Sequence, residues 1–190
     1  LMRSCDEDPG HSEHVAHLAL ELYDATAHRH GLGAEARSLL EAGALLANVG
    51  LVISHGQHHK HSYYVIRNSD HLVGFTDGEI EVVAQIARYH RKSAPKPAHA
   101  EWAALPPEDQ AVVRVAAAVL RVAIGLDRSH ARLVIGLEVH DTGDEVVITL
   151  RPQGPDADVS LERYAAADRT SLLAEVLGVP VRVTVADAPG

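Results

Sequence analysis

Apolar side chains recur at intervals of three and four residues through the first 130 positions, and at intervals of two afterwards. Between residues 12 and 30, Val15, Leu18, Ala19 and Leu22 fall at i, i+3, i+4 and i+7. That spacing lines one face of an α-helix, and Gly31 supplies a left-handed stop. A second helix is expected over residues 34–48, with Leu39, Leu40, Gly43 and Leu46 turned inward and Gly50 past its end. A shorter third helix follows over about 58–68. Thr76 and Glu79 have the spacing of a capping box and open a fourth helix, which holds Ile80, Val83, Ile86 and Ala87 and ends near His90. The run SAPKPAHA, residues 93–100, is a loop, because proline interrupts the backbone hydrogen bonding of a helix. Pro106 and Pro107 then start a long fifth helix that reaches about Ser129.

Beyond residue 130 the pattern changes. ARLVIGLEV (131–139) and EVVITLRP (145–152) are rich in β-branched residues and flank HDTGD, a turn signal. ADRTSLLAEVLG (167–178) reads as a helix closed by Gly178, and VPVRVTVA (179–186) alternates as a half-buried strand. The expected fold class is therefore mainly α: an all-α module over residues 10–130, then a small α/β unit over 131–187 packed on or beside it. No internal repeat or low-complexity segment interrupts this order.

Composition narrows the classes. A chain of 190 residues buries a real core. Alanine, leucine and valine dominate it, while Phe75 and Trp102 are the single residues of their kind, which favours helices packed through small and branched side chains. The lone Cys5 excludes an intramolecular disulfide and a cysteine zinc cage, so a reducing cytoplasm is the default expectation. No run approaches the roughly 20 apolar residues of a membrane span, and no secretory signal is visible. The opening LMRSC, with Leu1 ahead of Met2, leads us to expect further chain before it. A formal charge of −9 argues against a general or sequence-specific nucleic-acid binder.

The distribution of charge says more than its sum. Residues 50–69 contain no acid but carry Lys60, Arg67, His55, His58, His59 and His61. Residues 82–100 again lack acids and carry Arg88, Arg91, Lys92, Lys96, His90 and His99. Such polarity predicts an anion-facing surface.

Three readings of the histidine cluster stay open. His58 and His61, at i and i+3, share a helix face and could join His14 or His90 around a metal, with Asp127 needed as a carboxylate. They could instead be packed, hydrogen-bonded histidines. Or His58, His59, Lys60 and His61 could contact an anion beside the free N–H groups and positive dipole end of the third helix. The fifth helix adds Arg114, Arg121 and Arg128, spaced seven apart along one stripe. These are either structural arginines neutralised by carboxylates or a row of guanidinium forks suited to repeated phosphates, which Arg91 and Lys92 would extend. Tyr63, Tyr64 and Tyr89 read as core or interface residues rather than base-stacking platforms.

At this point the chain resembles a known family. The runs GHSEHVAHLALELYDA, LLEAGALLANVG, HHKHSYYVIRNSDHLVGFTDGE, ARYHRK and LRVAIGLDRSH look like the C-terminal, HD-like region of the exopolyphosphatase/guanosine pentaphosphate phosphohydrolase (Ppx/GppA) family. SLERYAAADRTSLLAEVLGVPVRV is similar to that family's tail. The resemblance implies an HD-domain-like helical bundle. It also implies that the phosphatase active site lies in N-terminal actin-like domains, of which this sequence shows no sign. The C-terminal module would then supply a surface for polyphosphate or guanosine polyphosphate and contacts for a homodimer. It would need no cofactor of its own, with Mg2+ serving the full-length enzyme. In the HD pattern the adjacent His-Asp pair reads Ala47 and Asn48 here, and the late-helix aspartate position reads Ile124, so the metal site is expected to be degenerate. Two alternatives stand beside this expectation: an HD-type metal-dependent phosphohydrolase with non-standard ligands, and a purely structural oligomerisation domain.

Overall fold

The computed structural model describes residues 1–186. It opens with a short helix α1 (Met2–Cys5) and then α2 (Pro9–Ala25). Asp8 caps α2 by accepting the His11 N–H, and Pro9 occupies a first-turn position where no N–H is needed. The helix expected over 12–30 is divided at Thr26. Its hydroxyl donates to the Leu22 carbonyl at 2.8 Å, and the chain restarts as α3 (Ala27–His30). Gly31 then ends α3 at φ +69°, as its position suggested.

Helix α4 (Ala34–Leu45) ends earlier than the pattern predicted, and a 3₁₀ turn over Val49–Val52 follows. The cause is the buried hydroxyl of Ser62 on α5 (His58–Arg67). It donates to the Ala47 carbonyl at 2.7 Å and accepts the Gly50 N–H at 2.9 Å, taking over backbone groups that a longer α4 would pair. Gly50 is required here: a Cβ on it would stand 2.2 Å from the Ser62 nitrogen and 2.3 Å from the His58 carbonyl oxygen.

Helix α6 (Asp77–Tyr89) carries both halves of the capping box formed by Thr76 and Glu79. The expected loop then leads into a short α7 (Ala100–Ala103) and the long α8 (Pro107–Gly125). Strand β1 (Val134–Asp141) pairs antiparallel with β2 (Val146–Pro152), and β2 pairs parallel with β3 (Val181–Val185), giving the order β1-β2-β3. Two helices make the crossover between the parallel strands, α9 (Ser160–Ala167) and α10 (Ser171–Leu177). The sequence pattern predicted one helix over 167–178 and left α9 unassigned. Gly178 closes α10 at φ +73°.

Helix α8 organises the molecule. Ten of its residues are buried, and it packs against α2, α4, α6, α9 and α10. One contiguous apolar core runs from Val15 on α2 through Val119 and Leu120 on α8 to Ile148 on β2 and Val183 on β3. The sheet unit is thus joined to the helices through shared burial, the dominant favourable term in folding. Among the described residues no helix is long and apolar enough to cross a membrane.

Candidate anion-binding site

The ends of α2, α6 and α8 meet around a cavity of about 300 Å³. His11, in the first turn of α2, is buried there with Asp127, which lies just past the end of α8. Their Nδ1 and Oδ2 atoms are 2.7 Å apart, and the second carboxylate oxygen accepts the Arg132 N–H at 2.8 Å. Burial alone would raise the Asp127 pKa; the hydrogen bonds from His11 and Arg132 outweigh it and hold the carboxyl below its ordinary range. The imidazole of His130 stacks on His11 with 3.7 Å between ring centroids and is fixed from the side by Asp8 at 2.9 Å. Asn48, Leu51 and Ile124 complete one wall.

The lining also carries an imidazole pair. His90 follows α6, and its Nδ1–H donates to the Ala87 carbonyl at 2.6 Å. Its Nε2 faces His58 Nε2 at 3.2 Å, while Arg91 Nη1 approaches His58 Nδ1 at 3.1 Å. These contacts fit one set of tautomers, with Arg91 donating to His58 and His58 donating to His90. The 3.3 Å approach of His58 Nδ1 to the His55 carbonyl is not a hydrogen bond in that arrangement. Burial, then the Arg91 charge, pushes the His58 pKa down and that of His59 to about 4; burial takes His90 down to about 3. All three are neutral near pH 7, so the positive charge here belongs to the arginines.

Two further cavities share Arg91. One, of about 480 Å³, is lined by Lys92, Arg121, Asp168 and Arg169 with His90 and Ser171. The other, of about 200 Å³, is lined by His59, Lys60, Arg88, Ser93 and His99. Arg91, Arg128 and Arg169 reach the first cavity as well. All three spaces have Arg91 in their lining and are taken together as a trough of neighbouring cavities. Among the described residues Lys60, Arg91, Lys92, Arg128 and Arg169 have no carboxylate within salt-bridge distance. By contrast Arg29, Arg37, Arg67, Arg88, Arg114 and Arg182 are each ion-paired.

The fold places the three arginines expected as a stripe along the fifth helix in different surroundings. Arg114 is paired with Glu175 at 3.1 Å and lines none of the three cavities. Arg121 directs its guanidinium to the carbonyls of Tyr89, Lys92 and Ser93 at 2.7–3.0 Å, because the end of α6 leaves carbonyl groups without intrahelical donors. Its pKa is lowered by burial first and by Arg169 second. Arg128 lies beyond Gly125, off the helix, and it does reach the trough.

Of the histidines proposed for a metal, His58 and His90 come together. His61 lines none of the cavities, and His14 is turned to the Val134 carbonyl at 2.9 Å; the histidine of α2 that reaches the cavity is His11. Asn48 and Ile124 line it, whereas Ala47 is buried beneath. Among the described residues no three His, Cys, Asp or Glu side chains converge where they could hold a metal ion. Tyr63 and Tyr89 hydrogen-bond to Glu81 and His99, in keeping with structural roles. Arg169 was not singled out from the sequence; its only signal was a cation between two apolar helical stretches.

The architecture defines a mainly helical module with a small C-terminal sheet, 55% helical among the described residues, carrying a cationic trough at the helix ends. The chain belongs to the Ppx/GppA phosphatase family: the family model "Ppx/GppA phosphatase, domain III" matches residues 1–162. A stretch of 58 residues is 40% identical to the guanosine-5'-triphosphate,3'-diphosphate pyrophosphatase of Pseudoalteromonas translucida (strain TAC 125). That match covers 30% of this chain and 12% of that relative's length.

Proposed function

We propose that this chain is the polyanion-binding C-terminal module of a Ppx/GppA-type phosphatase, holding polyphosphate or a guanosine polyphosphate for catalysis carried out elsewhere in the enzyme. The observation that carries this reading is the gathering of Lys60, Arg91, Lys92, Arg128 and Arg169, none ion-paired, along three cavities that share Arg91. Cations left without carboxylate partners are available to phosphate oxygens, and arginine forks match those oxygens two at a time.

The same reading holds the HD metal site to be degenerate. Its cavity offers His11 and Asp127 already bonded to each other, His58 and His90 likewise bonded to each other, His130 held by Asp8, a neutral amide at Asn48, and aliphatic Ile124. Arg91 and Arg128 beside them oppose a divalent cation. The donor set therefore speaks against the alternative of an independent metal-dependent hydrolase. Mg2+ belongs, on this proposal, to the full-length enzyme's catalytic domains. Assembly into a homodimer rests on the family likeness, and sedimentation equilibrium tests it.

The test is titration with medium-chain polyphosphate in EDTA at several salt concentrations. Binding is expected to survive chelation and to weaken with salt, with a slope of log K on log[salt] of about −3 for four or five phosphate contacts. Arg91→Glu is expected to reduce affinity by at least about tenfold, the scale of one charge-assisted hydrogen bond. Absence of binding at low salt overturns the proposal and leaves a purely structural assembly domain.

A further inference from the structure

His11 and Asp127 have no role in the anion binding proposed above. Asp127 is fully buried, and a buried ionised carboxylate is costly unless its partners compensate it. Its Oδ2 accepts the His11 Nδ1–H at 2.7 Å, and its Oδ1 accepts the Arg132 N–H at 2.8 Å. The Nδ1 proton is thereby held on the carboxylate side, so in the neutral ring the free lone pair sits on Nε2.

Three observations make that nitrogen available for chemistry. His11 lines the cavity, and among the described residues its Nε2 has no hydrogen-bond partner. Ring nitrogens both unpartnered and sealed from solvent do occur in this fold, as at His59 Nδ1; among the described residues His11 Nε2 is not one of them, and it opens onto the cavity. The ring is also fixed in orientation. His130 stacks on it with 3.7 Å between centroids and 11° between planes, and Asp8 holds His130 at 2.9 Å. The segment that supplies both contacts keeps a costly backbone shape, with φ +60° at His130 and +54° at Arg132. Finally, Arg91, Arg128 and Arg169 line the same cavity, and guanidinium groups there can stabilise the charge on a phosphoryl group in transfer.

We infer that His11 is a modification site: its Nε2 takes the terminal phosphoryl group of a bound phosphoanhydride chain and becomes phosphohistidine, with Asp127 as the positioning residue behind it. This rests on the trough being an anion site. The Nε2 lone pair attacks the terminal phosphorus and an N–P bond forms, while the bond from that phosphorus to the bridging oxygen breaks. The bridging oxygen leaves with the electron pair as the new end of a chain one phosphate shorter. No proton moves. Nδ1 keeps its hydrogen, and the positive charge that develops on the ring lies against the Asp127 carboxylate.

The test is incubation with tripolyphosphate in EDTA, after which intact-mass and tandem mass spectrometry in alkali locate any added phosphoryl group. The expected product carries the group on His11, stable in alkali and lost in acid as a phosphoramidate is. Orthophosphate, which has no anhydride leaving group, should add none. His11→Gln should abolish labelling, and Asp127→Asn should slow it by at least about a hundredfold, the scale of a lost proton-holding partner. Thermal melting checks that each variant folds, and mapping in the unmodified protein decides the question even where one does not. Tripolyphosphate that binds by calorimetry yet leaves the protein unlabelled, or a label on another residue, overturns the acceptor site and leaves the anion trough standing. Unchanged labelling in a folded Asp127→Asn variant overturns the part assigned to Asp127. Failure of the unmodified protein to bind tripolyphosphate overturns both the acceptor site and the trough.

Discussion

His58, His59 and His90 lie with ring centroids 5.2–6.4 Å apart, and burial keeps all three neutral. An unfolded histidine takes up its proton near 6.5, whereas folded His59 and His90 do so only near 4 and 3. Between those values unfolding binds protons, so stability is complete above about pH 6.5 and is lost as the pH falls. His90 alone contributes a slope of at most about 1.4 kcal/mol per pH unit. The thermal midpoint is therefore expected to drop steadily from pH 7 to pH 4.5, and His90→Gln should flatten that dependence; an unchanged slope in the variant would refute the assignment. The buried His11–Asp127 pair makes a different prediction. Asp127→Ala strands the His11 imidazole and the Arg132 N–H, and is expected to cost about 3 kcal/mol in urea unfolding. A loss below about 1 kcal/mol would mean that the pair adds little to the fold.

Between elements, the decisive contacts are close backbone approaches. Gly125 on α8 meets α9 so tightly that a Cβ would stand 2.6 Å from the Ala166 backbone. Gly125→Ala should therefore destabilise the protein, although alanine in an open helix gains about 1 kcal/mol over glycine; a raised melting temperature would show that α9 can shift freely. Gly50→Ala should displace the start of α5 and carry His58 out of line with His90 and Arg91, lowering polyphosphate affinity as well as stability. Thr76→Ala provides the contrast. Loss of the capping box is expected to cost about 1 kcal/mol, yet it lies at the far end of α6 from Arg91, roughly 20 Å along the helix, so calorimetry should find anion binding unchanged.

At the scale of the whole molecule, the trough is an assembly of helix ends. Lys60 comes from the first turn of α5, Arg91 and Lys92 from beyond α6, Arg128 from beyond α8, and Arg169 from the turn between α9 and α10. At helix C-termini unpaired carbonyls and the negative dipole end favour cations, which accounts for Arg91, Lys92, Arg128 and Arg169, though not for Lys60, despite a net charge of −9. Arg169→Glu, far from Arg91 in sequence but lining two of the same cavities, should weaken polyphosphate binding to a similar degree as Arg91→Glu. An Arg169→Glu variant with full affinity would confine the site to α5 and α6.

Local patterns in the sequence determined most of the elements, because apolar period, caps and glycine stops act within a few residues: Thr76 with Glu79, Gly31 and Gly178 all perform the roles their positions implied. The two acid-free segments likewise marked His58, Arg91 and Lys92 as one basic region. Tertiary structure decided the rest. Arg114 and Arg121 looked equivalent to Arg128 by spacing, yet one is paired with a carboxylate on α10 and another with carbonyls after α6, partners that no spacing rule contains. His11 and His14 lie on the same helix, and only the fold sends the first to Asp127, 116 residues away, and the second to a strand carbonyl. Helix period determines which residues share a face; which partner that face meets depends on contacts distant in sequence, where burial and unsatisfied backbone groups choose among side chains that look alike along the chain.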